Sequence, residues 1–160
     1  MYYSTDYSSP IGKILIVSDG KAICGVWFYG QKHFLSSVDG EIIKKDDLAI
    51  FKKVKKWLDD YFNGINRKID FELKPKGSDF RCGVWRILCE IPYGETITYG
   101  EIASRLSGKM SARAVGGAVG HNPISILIPC HRVLGAGGKL TGYAGGIERK
   151  KALLKLEKIM

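Results

Sequence analysis

Residues 14–28 read ILIVSDGKAICGVWF. Two apolar runs rich in β-branched residues flank the pair Asp19-Gly20, and a tight hairpin turn of the primed type needs a positive φ, which glycine adopts freely. The stretch therefore predicts two antiparallel strands joined at this pair. Similar runs at residues 1–8 and 12–18, separated by Pro10-Ile11-Gly12, extend the prediction to a small antiparallel sheet.

An amphipathic helix is predicted after the sheet, over residues 47–62, and Asn63-Gly64 ends it. Its apolar stripe comprises Phe51, Val54, Leu58 and Tyr61. The opposite face carries lysines that either contact DNA or are simply solvated, and a solvated face is the commoner arrangement and our interpretation. These lysines are Lys52, Lys53, Lys55 and Lys56.

The character of the chain changes near residue 77. A short strand is predicted around residues 69–71, and the segment LKPKGS at 73–78 is typical of a linker. We therefore predict an N-terminal sheet-plus-helix domain at residues 1–76 and a mostly helical C-terminal domain at residues 77–160. The fold class that follows is α+β.

The C-terminal domain is predicted to contain four helices. The first has Asp79 as its N-cap and ends at IPYG, residues 91–94. Its apolar face comprises Phe80, Val84, Ile87, Leu88 and Ile91. Two short helices, beginning at Thr98 and near Ala112, are joined by a turn at Ser107-Gly108. Such a pair in a basic domain indicates a helix-turn-helix, although helical hairpins also occur in proteins that never bind nucleic acid. The last helix, residues 146–158, packs through Ile147, Leu153, Leu154 and Leu156.

The chain of 160 residues has a net charge of +9, and the positive excess is concentrated in its second half. Residues 1–77 hold 13 basic and 10 acidic side chains, whereas residues 78–160 hold 12 and 6. This excess suits a polyanionic partner such as DNA, although charge alone is not specific. No apolar run approaches the about 20 residues of a membrane span, and the first residues lack a signal-peptide pattern, so we expect a soluble, cytoplasmic protein.

Four cysteines are scattered along the chain without CxxC pairs. This spacing argues against a disulfide scaffold and a zinc cluster, and we expect no bound metal. Three of them, Cys24 in a strand and Cys82 and Cys89 on one helix, are expected to be small buried hydrophobes.

The fourth, Cys130, lies within the stretch IPCHRV at residues 128–133. Only a thiolate is a good nucleophile, and positive neighbours lower the pKa of a thiol, so His131 and Arg132 beside Cys130 indicate a reactive cysteine. His131 is the natural base, acting through a water because sequence neighbours seldom point at each other. Glu157 could orient the imidazole, but from the sequence alone a surface acid is the commoner reading.

Several residues around this motif could hold a ligand. Arg113 leads a helix of small residues, including Ala114 and Gly116, which would allow close approach of either another helix or a nucleic-acid strand. Asn122 and Tyr99 offer an amide and a phenol that could bind a heterocycle. The stretch GYAGG at residues 142–146 is either a simple loop or one that holds a flat ligand against backbone donors.

The segment PCHRV at residues 129–133 closely resembles the active-site motif of the O6-alkylguanine-DNA alkyltransferases, also called methylated-DNA–protein-cysteine methyltransferases. The resemblance covers about residues 80–158, with agreeing spacings. Its further parts are RAVGGA at 113–118, Asn122-Pro123, YAGG at 143–146 and Glu157.

The resemblance implies a DNA repair protein that flips O6-alkylguanine out of duplex DNA and transfers the alkyl group irreversibly to its own Cys130, without a cofactor. The substrate would be mainly O6-methylguanine, with O4-methylthymine as a second candidate. The implied catalytic residues are Cys130, His131, Glu157, Asn122 and Tyr99. The protein would bind DNA through the minor groove as a monomer, and its cooperativity on DNA is left open. The implied DNA contacts are Arg113, Ala112, Ala114, Tyr99 and Gly116. The implied base pocket comprises Tyr143, Ala144, Gly145 and Tyr99.

One departure from the family pattern concerns Ala144, which replaces a serine of many members and removes a hydroxyl donor, so the substrate range could differ. Two other functions compete with alkyl transfer. The first is a non-catalytic module that binds alkylated DNA, whose mass would never increase because no alkyl group is transferred to it. The second is a cysteine hydrolase that uses Cys130 and His131 and turns over repeatedly, although adjacent Cys and His are unusual for a hydrolase.

Overall fold

The computed structural model describes residues 1–106 and 110–160, so the turn predicted at Ser107-Gly108 lies outside the described residues. The strands are β1 (Tyr2–Ser9), β2 (Gly12–Ser18), β3 (Ile23–Phe28), β4 (Ile42–Lys44), β5 (Ile97–Thr98) and β6 (Val133–Leu134). The helices are α1 (Ala49–Phe62), α2 (Asp79–Cys89), α3 (Tyr99–Arg105), α4 (Ala112–Gly120) and α5 (Ile147–Leu156). This mixture confirms the predicted α+β class.

The chain divides into two compact units. The first comprises Met1–Lys76 with Pro123–Ser125, and the second comprises Gly77–Asn122 with Ile126–Met160. Residues 123–125 group with the first unit because their backbone pairs with β3: Val26 N–H donates to the Pro123 carbonyl at 2.8 Å, and Ser125 N–H donates to the Val26 carbonyl at 3.0 Å.

The sheet of the first unit has the strand order β3-β2-β1-β4. The antiparallel pairs β1–β2 and β2–β3 confirm the predicted meander. The parallel strand β4, which pairs Tyr2 with Ile42, was not predicted. With three residues, β4 is too short to display an alternating pattern, and its edge position is set by β1 rather than by its own sequence.

The connection between β2 and β3 is wider than the predicted two-residue turn, because the first paired residues are Ser18 and Ile23. Asp19 explains the difference: its carboxylate accepts hydrogen bonds from the N–H groups of Lys21 and Ala22, each at 2.9 Å. A short polar side chain of this kind builds a local turn of its own. Gly20 has the expected positive φ, 104°.

The strand predicted at residues 69–71 is absent from the structure. Apolar and polar residues do alternate there, but the backbone pairing lies just beyond: Ile23 N–H donates to the Glu72 carbonyl and Lys74 N–H donates to the Ile23 carbonyl, each at 2.8 Å. Only Leu73 pairs, as an isolated parallel bridge with Ile23.

Helix α1 buries the predicted stripe of Phe51, Val54, Leu58 and Tyr61. In α2 the N-cap is Ser78, not Asp79, because Ser78 Oγ accepts the N–H of Arg81 at 3.2 Å. Asp79 is instead the first helical residue, where a negative charge favours the helix dipole. The buried residues of α2 are Val84, Trp85 and Leu88.

The second unit holds α3 and α4 against each other, each begun by a hydroxyl cap: Thr98 Oγ1 accepts the N–H of Glu101, and Ser111 Oγ accepts the N–H of Ala114. Helix α2 meets α4 where Trp85 Nε1 donates to the Ala118 carbonyl at 2.9 Å. Parallel pairing of β5 with β6 joins the start of α3 to the segment that follows Arg132.

The cysteines outside the candidate site differ in burial. Cys24 is buried as predicted, whereas Cys82 is half-buried and Cys89 is exposed. The prediction for Cys89 is wrong because it is the last residue of α2, where the helix leaves its packed neighbours. Across residues 1–106 and 110–160, no helix combines the length and the apolarity that a membrane span requires.

Candidate active site

Cys130 begins a short 3-10 turn, Cys130–Arg132, and is 5% exposed. Pro129 has φ −80° and ψ 65°, and Cys130 N–H donates to the Ile128 carbonyl at 2.8 Å. This is the geometry of an inverse γ-turn, whose φ suits the constrained proline ring. The proline therefore sets the direction in which the chain presents the thiol.

His131 is fully buried and its Nε2 lies 2.7 Å from Oε2 of Glu157. A carboxylate only accepts hydrogen bonds, so Nε2 carries the proton and the neutral ring has its basic nitrogen at Nδ1. Burial lowers the pKa of His131, while Glu157 acts in the opposite direction. The histidine is thus a neutral base with a fixed tautomer.

Glu157 is 3% exposed, so it is not the surface acid that the sequence alone favoured. Its carboxylate joins His131 to Arg132. Arg132 binds it with two nitrogens, Nε to Oε1 at 2.8 Å and Nη2 to Oε2 at 3.1 Å. Gly94 N–H also donates to Oε1 at 3.0 Å. Three partners, the His131 ring, the Arg132 guanidinium and the Gly94 amide, therefore satisfy the buried carboxylate in the interior.

Arg132 does not serve the thiol as the sequence predicted. Its remaining Nη1 donates to the Ile91 carbonyl at 2.8 Å, so the guanidinium is engaged with Glu157 and the backbone. Burial raises the pKa of Cys130, and this effect outweighs the groups that favour the thiolate. Those groups are the side chains of Asn122 and Tyr143 and the positive charge of Lys150.

Lys150 is the residue of the site that sequence reasoning missed. It is fully buried, and its Nζ donates to the carbonyls of Thr141 and Gly142 at 3.2 and 3.3 Å. The sequence did contain a signal for this residue, in the spacing of residues 150, 153, 154 and 157. The structure buries all four of them, in the last helix and its cap. This is one helical face, with a lysine at one end and Glu157 at the other.

An open pocket of about 470 Å³ lies beside α3 and α4. It brings together Tyr99, Ala112, Arg113 and Gly116, all predicted to contact DNA. The other lining residues are Thr98, Gly100, Ala136, Thr141 and Gly142. Arg113 is exposed, and Thr141 Oγ1 donates to the Tyr99 hydroxyl at 3.3 Å. The pocket is therefore lined by small residues, one arginine and one phenol.

Four residues predicted to contact DNA or the flipped base do not line this pocket: Ala114, Tyr143, Ala144 and Gly145. Ala114 is half-buried in the first turn of α4, where its N–H is taken by the Ser111 cap. Gly145 is buried and its carbonyl accepts Nη1 of Arg149 at 3.1 Å. Asn122 is likewise buried, with Nδ2 donating to the Ile128 carbonyl at 2.8 Å. Among the described residues, no group of three or more His, Cys, Asp or Glu side chains could hold a metal ion.

The neutral, buried state of His131 makes stability depend on pH. Its pKa is lowered in the folded chain, whereas the unfolded chain has a histidine pKa of about 6.5. The unfolded state therefore binds more protons below about pH 6.5, and the free energy of unfolding should fall from there toward about pH 5. Urea unfolding at steps across this range measures it. A His131→Gln variant should lose most of the slope, and equal slopes for both chains would contradict this assignment.

The fold and the site define an α+β protein in which a buried cysteine is followed in the chain by a buried histidine bound to a glutamate, and in which an open pocket lies on a helix pair. The chain matches the profile described as "6-O-methylguanine DNA methyltransferase, DNA binding domain" over residues 79–159. Residues 1–75 match the profile "6-O-methylguanine DNA methyltransferase, ribonuclease-like domain". The chain therefore belongs to the 6-O-methylguanine DNA methyltransferase family.

Relatives match over almost their whole length. A methylated-DNA–protein-cysteine methyltransferase of Haemophilus influenzae is 47% identical over 98% of this chain and 87% of its own. One from Methanosarcina acetivorans is 45% identical over 98% of both chains. The crystal structure of Mycobacterium tuberculosis OGT in complex with DNA has a TM-score of 0.86 at 44% identity, covering 98% of this chain and 92% of that one.

Proposed function

We propose that this chain repairs DNA by transferring the alkyl group of O6-alkylguanine, mainly O6-methylguanine, to Sγ of Cys130. The observation that carries the proposal is the buried His131–Glu157 pair directly after Cys130, in the same compact unit as the pocket lined by Tyr99 and Arg113. Membership of the family and the likeness to an OGT solved with DNA support the same reaction.

The chemistry balances with groups of this chain. His131, held by Glu157, takes the proton of Cys130 through a bridging water and leaves a thiolate. Sulfur then attacks the alkyl carbon, an S–C bond forms, and the C–O6 bond breaks. Tyr99 donates a proton to the departing base, which leaves as guanine, and the proton taken up by His131 returns through water to the Tyr99 phenolate. A thioether has no comparable leaving group, so each chain reacts once and needs no cofactor.

Access to the alkyl group requires the nucleotide to leave the duplex, at a cost of a few kcal/mol. We assign α3 and α4 as a helix-turn-helix that enters the minor groove. Arg113 fills the gap left in the duplex, and the small residues Ala112, Ala114 and Gly116 let the DNA backbone approach. The extruded base is held by Tyr99 and the loop of Tyr143, Ala144 and Gly145, while Asn122 orders the site around Cys130.

The two parts of the chain have different tasks in this proposal. Residues 77–160 form the DNA-binding and alkyl-accepting domain, and residues 1–76 form a separate sheet-plus-helix domain. We assign a monomer acting on cellular DNA in the cytoplasm, a reducing compartment that suits four free cysteines. O4-methylthymine is a second candidate substrate, since the same attack on carbon releases thymine.

The role of Arg113 predicts a loss that depends on the duplex. Arg113→Ala should slow transfer from duplex O6-methylguanine by about 100-fold, about 2.7 kcal/mol, because the flipped state loses the side chain that replaces the base. Transfer from the free base O6-methylguanine should be unchanged, since no base is flipped. Single-turnover rates measure both, with Arg86→Ala, an exposed residue of α2, as the control. An equal loss on both substrates would refute the gap-filling role.

Stoichiometry separates this function from its competitors. Duplex carrying a radiolabelled O6-methyl group should give protein-bound label that stops at one methyl per chain, however long the incubation. Binding of the duplex without label on the protein would favour a non-catalytic lesion-binding module. Release of labelled small molecules over many turnovers would favour a hydrolase.

A further inference from the structure

A second pocket, of about 500 Å³, lies between α1 and the segment that follows this helix. All of its lining residues belong to the first compact unit, and none of them takes part in the proposed reaction. The sequence favoured a solvated face for the lysines of α1, but two of them, Lys53 and Lys56, line this pocket. Its other walls include Trp57, Arg67 and Lys68. The pocket therefore combines basic side chains with one aromatic ring.

Direct contacts hold the walls of this pocket together. Trp57 Nε1 donates to the Arg67 carbonyl at 3.0 Å, and Arg67 Nε lies 2.6 Å from Oδ2 of Asp60. Ile65 N–H donates to the Asp60 carbonyl at 2.9 Å. The indole also stacks on the Tyr61 ring, with 5.4 Å between the ring centroids and 9° between the planes. The indole is thus fixed in one orientation before any ligand arrives.

The charged groups of the pocket leave a positive excess. Arg67 and Asp60 neutralise each other. The remaining charged side chains of the lining are three lysines and the carboxylate of Asp70. Among residues 1–106 and 110–160, none of these lysines has a carboxylate partner, and all three are exposed. They are Lys53, Lys56 and Lys68. Unpaired ammonium groups beside a fixed indole suit a ligand that has both phosphates and flat rings.

We infer that this pocket binds a single-stranded segment of DNA, with a base stacked on Trp57 and the phosphates beside the three lysines. An aromatic platform within a basic groove is the general means by which proteins bind single strands without sequence preference. The bases of a duplex are already stacked and paired, so they cannot lie on the indole. DNA is favoured over a free nucleotide because this chain carries a DNA-binding domain of its family at residues 79–159. The inference concerns residues 1–76 and does not depend on alkyl transfer.

Tryptophan fluorescence of the full chain tests this pocket. Trp57 is half-buried, whereas the other two tryptophans, Trp27 and Trp85, are 1% and 2% exposed. An undamaged oligothymidylate of about eight nucleotides should quench the fluorescence of Trp57, because a base stacks on the indole. Trp57→Phe should lose the quenching. In the wild type, the bound strand should also shield Trp57 from acrylamide, which gives a second measurement without any variant.

Two double variants test the role of the lysines. Lys53→Gln/Lys56→Gln should raise the half-saturating strand concentration about tenfold at about 0.1 M salt. It should also lower the slope of log K against log salt by about 1.4, which is about 0.7 for each lost phosphate contact. Lys52→Gln/Lys55→Gln is the matched control, because it removes the same charge from the same helix outside the pocket. The control should keep the wild-type slope.

Several results would overturn the inference. Equal effects of the two double variants would show that the strand responds to net charge and not to the pocket. A duplex of the same length, or free thymidine monophosphate, that quenches Trp57 at the same concentration would contradict a single-strand site. Neither quenching nor shielding by the oligothymidylate would exclude the site altogether. Failure of methyl transfer from a lesion duplex would instead contradict the proposed function and leave the quenching results unaffected.

Discussion

A Cys130→Ala variant is expected to transfer no alkyl group while still binding duplex DNA that contains O6-methylguanine. The methyl carbon has no other acceptor in this mechanism, because Cys130 is the nucleophile that His131, held by Glu157, deprotonates. Binding should survive, since the pocket of Tyr99 and Arg113 does not include this side chain. The loss of one buried sulfur should cost about 1 kcal/mol of unfolding free energy.

Fluorescence anisotropy with a labelled lesion duplex measures binding, and label transfer measures the reaction. Cys89→Ala is the matched control because Cys89 is an exposed cysteine of the same chain, and it should behave as wild type in both assays. Residual methyl transfer by Cys130→Ala would require another acceptor residue and would remove the basis of the proposed mechanism.

A Glu157→Gln variant is expected to lose both stability and transfer. The amide presents N–H groups to an arginine and a histidine that are already donors, so Arg132 remains buried without its counter-charge. Breaking such a buried pair costs about 3–5 kcal/mol. The imidazole of His131 also loses its fixed tautomer, and loss of an oriented general base costs about 100-fold or more in rate.

Urea unfolding and single-turnover transfer, each at pH 7.5, measure the two effects. Glu148→Gln is the control, since Glu148 lies in the first turn of the same helix with an exposed side chain, and it should change neither quantity. If the unfolding free energy of Glu157→Gln equals that of the wild type, the ion pair with Arg132 does not stabilise the fold. Wild-type transfer would show that His131 does not need its carboxylate.

Helical features set by residues close together in the chain were predicted correctly from the sequence. The apolar stripe of α1 and the bounds of α4 follow from helical spacing and from the glycines and small residues at their ends. The same reasoning missed β4, because three residues carry no period, and it assigned the cap of α2 one residue late, because Ser78 and Asp79 are both good capping residues.

The candidate site was predicted less completely than the fold. The motif around Cys130 identified the thiol, but adjacency suggested that Arg132 would act on it, whereas the 3-10 turn directs the guanidinium to Glu157. Lys150, whose charge favours the Cys130 thiolate, is 20 residues away from Cys130 in the chain. Only the tertiary structure unites them, although the spacing of Lys150 and Glu157 on one helical face was visible in the sequence.

Peptide mass spectrometry after incubation with a duplex containing one O6-methylguanine tests the central claim most directly. The account predicts one added methyl on the peptide that contains Cys130, saturation at one per protein, and guanine restored in the DNA. Tight binding with Cys130 unmodified, or a methyl group on any other residue, would contradict it.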